Sequence, residues 1–212
     1  MPISECVNVG NLDVRFATRG WVPMGQQIES GPLHHHLQTY AGEHRGTESK
    51  PHDKPGHQYT LDRFDHPSGI TTITSNGLRH IEDAPFAEEI ACTLQTPQAG
   101  YARAIVGAVC EFITLTRTGI DFGQVIDNHS ELFNGTAKEG LLATTHPCFD
   151  KDFNYLTRNS ARIRGTVELQ IVTLLPITRH EIELAMQDVD LLYRHWHKTH
   201  PDLLDITRPS TT

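Results

Sequence analysis

The chain has 212 residues, with 18 Lys and Arg against 26 Asp and Glu and a net charge of −8 when His is neutral. A chain of this length can bury about 70% of the surface its unfolded form exposes, so one sizeable core, and one domain by default, is feasible. The negative balance argues against nucleic acid as a direct ligand, because phosphate binding needs clustered Lys and Arg. It suits a basic protein partner, whose encounter an acidic surface accelerates.

Cys6, Cys92, Cys110 and Cys148 are scattered and form no C-x-x-C pair. Neither a zinc ribbon nor a thioredoxin-like motif is supported, and a reduced cytoplasmic home is the simplest expectation. The N-terminal stretch carries early acidic residues and no long apolar run, unlike a signal peptide. No window approaches about 18 consecutive apolar residues, so no membrane-crossing helix is expected.

Residues 1–33 are rich in Gly, Pro and polar side chains and read as an N-terminal extension to a domain over 34–212. Within the extension, residues 7–18 offer one short strand, and Trp21 to Pro32 read as loop. A short helix is expected over His35–Tyr40. From Gly42 to Gln58 the chain is polar and punctuated by Pro51, Pro55 and Gly56, which reads as a loop or mobile segment. Tyr59, Leu61 and Arg63 alternate with Thr60, Asp62 and Phe64, and the β-branched run Ile70–Thr74 pairs with them across the turn at 66–69. A third strand is expected at Glu89–Leu94, followed by a break from Pro97 to Gly100.

Residues 101–118 carry Tyr101, Ile105, Ala108, Val109, Phe112 and Ile113 on one broad face, a largely buried helix that Gly119 is placed to end. Short strands follow at Gly123–Ile126 and Gly140–Thr144. Residues 167–175 begin with alternation and end fully apolar, as an inner strand does.

The segment LLPITRHEIELA, residues 174–185, starts like a His-Glu-x-x-His zinc protease. That motif needs two His four residues apart on one helical face, with Glu as base between them. Leu184 stands where the second His should be, and it also blocks the inverted His-x-x-Glu-His order. Thr178 and Glu181 instead form a Thr-x-x-Glu capping box. Ile182, Ala185, Met186, Val189, Leu192, Tyr193 and Trp196 then recur at steps of three and four, an amphipathic helix ending near His200-Pro201. Strands and helices alternate without a regular β-α-β repeat, so the expected class is α+β, one mixed and largely antiparallel sheet with helices packed on it.

The C-terminal residues Pro176-Ile177-Thr178, Glu181-Ile182-Glu183-Leu184 and Asp205-Ile206-Thr207-Arg208-Pro209-Ser210 resemble the closing part of the suppressor-of-fused-like domain. Upstream, His35-His36-Leu37 with Tyr40-Ala41-Gly42-Glu43 looks like the family's opening helix. Thr72 to Arg79 looks like its threonine- and glycine-bearing strand exit. The helix at 101–118, followed by Gly123, matches in order and spacing, while Thr96-Pro97-Gln98 replaces the Trp-rich junction common in the family. The resemblance covers roughly residues 35–210. It implies a non-enzymatic cytoplasmic protein-binding module. Bacterial members of the family resemble immunity proteins that neutralise a cognate toxin.

Other chemistry finds little support. His195, His197 and His200 cluster at a helix end, and a His-dependent metallohydrolase built on them is the competing reading. His34-His35-His36 with His44 could collect zinc, but neighbouring side chains on a short helix point in different directions. His146-Pro147-Cys148 lacks the Glu and second Cys of a zinc deaminase and reads as a turn. There is no G-x-S-x-G, no G-x-G-x-x-G and no P-loop. No catalytic residue, metal or cofactor is assigned. The acidic stretch holding Asp121, Asp127, Glu131 and Glu139 is the candidate rim for a basic partner, such as a toxin domain.

Overall fold

The computed structural model describes residues 31–50, 59–81, 87–157 and 167–210. The expected strand at 7–18, most of the loop after Trp21, Cys6 and residues 51–58 lie outside the described residues.

Helix α1 (Pro32–Ala41) opens the fold and brings Leu33, Leu37 and Ala41 to the interior. Strands β1 (Glu43–Lys50), β2 (Tyr59–His66), β3 (Ile70–Asn76) and β4 (Glu88–Gln95) follow. Then come α2 (Ala99–Thr116), β5 (Val125–Asp127), β6 (Lys138–Thr144), β7 (Tyr155–Thr157) and β8 (Val167–Thr178), and helices α3 (Arg179–Gln187) and α4 (Val189–Thr199) complete it. The sheet runs β1-β2-β3-β4-β8-β6-β5, with β7 also on β8. Among the described strands only β4 and β8 pair in parallel, which makes the sheet mixed and largely antiparallel, as expected. β8 lies inside the sheet, between β4 and β6.

Side-chain alternation sorts the core into layers. Leu61, Ile73, Cys92, Val172 and Leu174 face α2. On the opposite face Phe64, Ala91 and Ile171 receive α1, and Leu142, Leu175 and Ile177 receive α3 and α4. Covered on both faces, β4 is buried along all but its last residue. The segment Thr96–Thr116 is long and apolar enough to cross a membrane by length and composition alone, with half of it buried against the rest of the chain. Counting unbroken apolar runs passes over it, because Arg103 and Glu111 interrupt the run. Its packing on β3 and β4 is that of a core helix.

Three sequence expectations change. First, Glu43–Lys50, read as loop, is a strand hydrogen-bonded along β2. It is a sheet edge and so lacks a hydrophobic alternation. Its inward side chains are polar ones with partners, such as Glu48, which accepts two hydrogen bonds from Arg103. Second, α2 ends not at Gly119 but at Arg117, which adopts a left-handed conformation (φ 59°) and donates its N–H to Ile113 O. Third, the expected single helix from Thr178 to His200 breaks at Asp188, whose extended backbone (φ −168°) caps both α3 and α4. Ile182, Ala185, Leu192 and Trp196 of the expected stripe are buried, whereas Met186 and Tyr193 are exposed.

Two glycines are required by close approach. Gly42 (φ +94°) links α1 to β1, and a Cβ there would meet Asp65 O at 2.4 Å. At Gly140 a Cβ would meet Ile126 O at 2.7 Å and Ile182 Cδ1 at 2.8 Å, so α3 can sit directly on β6.

Candidate functional site

The protease look-alike is closed by its own surroundings. β8 delivers Thr178 to the start of α3, where the reciprocal capping box forms: Thr178 N–H donates to Glu181 Oε2 at 2.8 Å, and Glu181 N–H donates to Thr178 Oγ1. Glu181 is fully buried. Its Oε1 accepts from Trp196 Nε1 at 2.6 Å, across from α4, and its Oε2 accepts from Arg208 Nη2 at 2.9 Å. Burial pulls the carboxyl toward the neutral form, but the Arg208 guanidinium, the Thr178 N–H and the Trp196 N–H outweigh it and hold the group ionised, below the usual carboxylate range. Arg208, from the Asp-x-x-Arg-Pro-Ser segment, also donates to Pro176 O, while its Nε and Nη1 are buried without partners. Lys138 lies beside it, fully buried, and donates to Arg208 O and Thr136 O. His180 is outside this cluster, partly exposed, with its ring 5.4 Å from that of His195.

The acidic stretch divides. Asp127 is buried and receives both Nη1 (2.7 Å) and Nη2 (2.8 Å) of Arg179, and the half-buried Glu139 receives Arg179 Nε at 2.9 Å. This fork geometry is the strong form of an ion pair. It outweighs the burial of Asp127 and holds its pKa below the ordinary carboxylate value. Asp121 and Glu131 are exposed. Glu131 accepts only a local bond from Gly135 N–H, at 2.9 Å. Two of the four acidic residues therefore face solvent, and two share Arg179. Arg179 was missed in the sequence, although it carried a signal. A cation in the first turn of a helix opposes the dipole, so it calls for a carboxylate partner.

The His-rich segments behave differently from one another. His34, His35 and His36 diverge: His36 Nε2 bonds Phe153 O at 2.9 Å, His35 faces solvent, and His34 meets the ring of His44, with centroids 4.7 Å apart. Ligand atoms of His34, His44 and Asp62 all lie within 4.8 Å of one another, and no other group of three His, Cys, Asp or Glu does so among the described residues. His195, His197 and His200 form no such group. His146 is a buried turn residue: its Nδ1 accepts the N–H groups of Cys148 and Phe149, its Nε2 pairs with Thr93 Oγ1, and burial pushes its pKa down to about 3.

The sheet order, the helix pair closing on β6 and β8, and the Arg208 segment beneath them can be set against known proteins. The sequence profile of the Suppressor of fused protein (SUFU) matches residues 54–209. The chain belongs to this family. A putative SUFU homolog from Neisseria gonorrhoeae FA 1090 superposes with a TM-score of 0.61 at 15% identity, over 85% of this chain and 95% of that one. At such identity the likeness speaks for the fold alone. No curated protein matches the chain. The SUFU profile reaches to Pro209 and so takes in the Glu181–Arg208 pair, which ties two of the sequence segments that carry the resemblance to each other.

Proposed function

We propose that this SUFU-family chain is a non-enzymatic protein-binding module, and specifically an immunity protein that neutralises a cognate toxin in the cytoplasm. SUFU domains generally mediate protein–protein interaction. The observation that carries the reading is the state of Glu181. Three donors, the Thr178 N–H of its own cap among them, converge on a carboxylate with no exposed surface, which serves a scaffold and not a general base. Blocking a toxin requires only surface complementarity, and the net charge of −8 favours a basic target.

The exposed Asp121 and Glu131 are the residues to probe at that surface. Asp127 is a poor probe, because reversing it would strand Arg179. The reading expects a toxin domain to be encoded immediately beside this chain's gene, and co-expression with it tests the reading, with growth and complex formation as readouts. Rescue of growth and a stable complex are expected. The charge reversals Asp121→Lys and Glu131→Lys should each slow association several-fold at low salt and less at high salt. Persistent toxicity with no complex overturns the immunity reading; an unchanged on-rate removes these two residues from the rim.

A further inference from the structure

The corner between α1 and the β1–β2 edge is assembled from three elements that share no sequence motif. β1 carries a bulge between His44 and Gly46. His44 is paired with Phe64, and Thr47, three residues later, with Asp62. The extra residue returns His44 and Thr47 to the same face as Asp62, which a regular strand would not do, since residues three apart point to opposite faces. That face is the one α1 covers, and the first turn of α1 sets the half-buried His34 over it. His44 and Asp62 are buried, and the Phe64 ring lies beneath both imidazoles, 5.6 Å from His34 and 5.1 Å from His44.

We propose that His34, His44 and Asp62 bind one zinc-class divalent ion that staples α1 to the edge of the sheet. Two imidazoles and one carboxylate make a donor set that suits zinc or a neighbouring transition metal and not calcium or magnesium. Ligands around one tetrahedral zinc stand about 3.4 Å apart, given bond lengths of about 2.0–2.1 Å. Closing the 4.8 Å spread needs a side-chain shift that the half-buried His34 can supply.

The surrounding groups are those of a metal corner. Thr47 Oγ1 donates to Asp62 Oδ1 at 2.7 Å and Asn76 Nδ2 to Asp62 Oδ2 at 3.1 Å, orienting the carboxylate as outer partners of a ligand do. His44 Nε2 lies 3.9 Å from Asp62 Oδ1 and 3.2 Å from Thr47 Oγ1, while His44 Nδ1 is buried without a hydrogen-bond partner. With three protein ligands the ion retains one open position. The inference does not depend on the immunity reading.

The test uses the full untagged chain, treated with chelator and titrated with zinc chloride. One equivalent is expected to bind and to raise Tm. His34→Gln and Asp62→Asn should each weaken binding by roughly 100-fold or more, exceeding the 10–100-fold typical of outer partners, which is the range expected for Thr47→Val. Triple replacement of His195, His197 and His200 by Gln should leave the affinity unchanged. If Asp62→Asn fails to fold, the half-buried His34→Gln still decides. Cobalt in place of zinc should give the intense visible bands of a four-coordinate ion. Less than one equivalent, wild-type affinity in His34→Gln, loss confined to the triple variant, or a weak aquo-like cobalt spectrum would each overturn the proposal.

Discussion

Two buried polar corners of the chain, one at the β1 edge of the sheet and one where the inner strand β8 meets α3, solve the same problem differently. At the β8–α3 corner a buried carboxylate, Glu181, has donors from the backbone, an indole and a guanidinium, while two nitrogens of Arg208, Nε and Nη1, lack partners. At the α1–β1 corner a buried imidazole, His44, has its Nδ1 unpartnered and a second His and a carboxylate beside it. The first corner is saturated around its anion and serves as scaffold. The second has unspent ligand capacity, which is what a metal uses. A buried carboxylate beside a histidine in sequence is thus no guide to chemistry until the donors that already occupy it are counted.

Several measurements can break or sharpen this contrast, and the largest effect belongs to the saturated corner. Arg208→Ala strands Glu181 as an unpaired buried charge and should cost roughly 3–5 kcal/mol in denaturant unfolding. Trp196→Phe keeps most of the ring but removes a hydrogen bond to a charged group, which should cost about 1.5–3 kcal/mol by the same assay.

Lys138 gives a pH signature. Burial, helped by the Arg208 charge, pushes its ammonium down to about 8 from the ordinary 10.5. Below the folded value both states are charged and the cost of burial is fully present. Between the two values the folded chain gives up the proton while the unfolded chain keeps it, so stability should rise with pH through that window. Lys138→Met should flatten the rise, as read from unfolding midpoints across the window; an identical profile in the variant would remove Lys138 from the account. The smallest effect is expected at His180, half-exposed and outside the Glu181 cluster. His180→Ala should stay within about 0.5 kcal/mol of wild type. A loss comparable to that of Arg208→Ala would place His180 in the cluster after all.

The legible parts of the sequence were those governed by local rules. The capping box at Thr178 and Glu181, the β2–β3 hairpin and the inner strand β8 follow from cap chemistry and from hydrophobic period, and all three stand in the fold. The edge strand β1 was not legible, because its inward positions are polar and its stability comes from the ladder to β2 and from partners far along the chain, such as Arg103. Missing β1 hid the bulge, and with it the meeting of His44 and Asp62. The break at Asp188 was hidden because the apolar positions of α3 and α4 mimic one continuous stripe. Among the candidate rim residues, charge marked all four alike, and only the position of Arg179 separates the buried Asp127 from the exposed Asp121 and Glu131.

The most direct check of the central claim is the unfolding free energy of Glu181→Ala. If Glu181 organises the scaffold, the variant loses roughly 3–5 kcal/mol, since Arg208, Trp196 and the α3 cap all lose their acceptor. A variant that unfolds within about 0.5 kcal/mol of wild type would contradict the scaffold role and reopen the hydrolytic one.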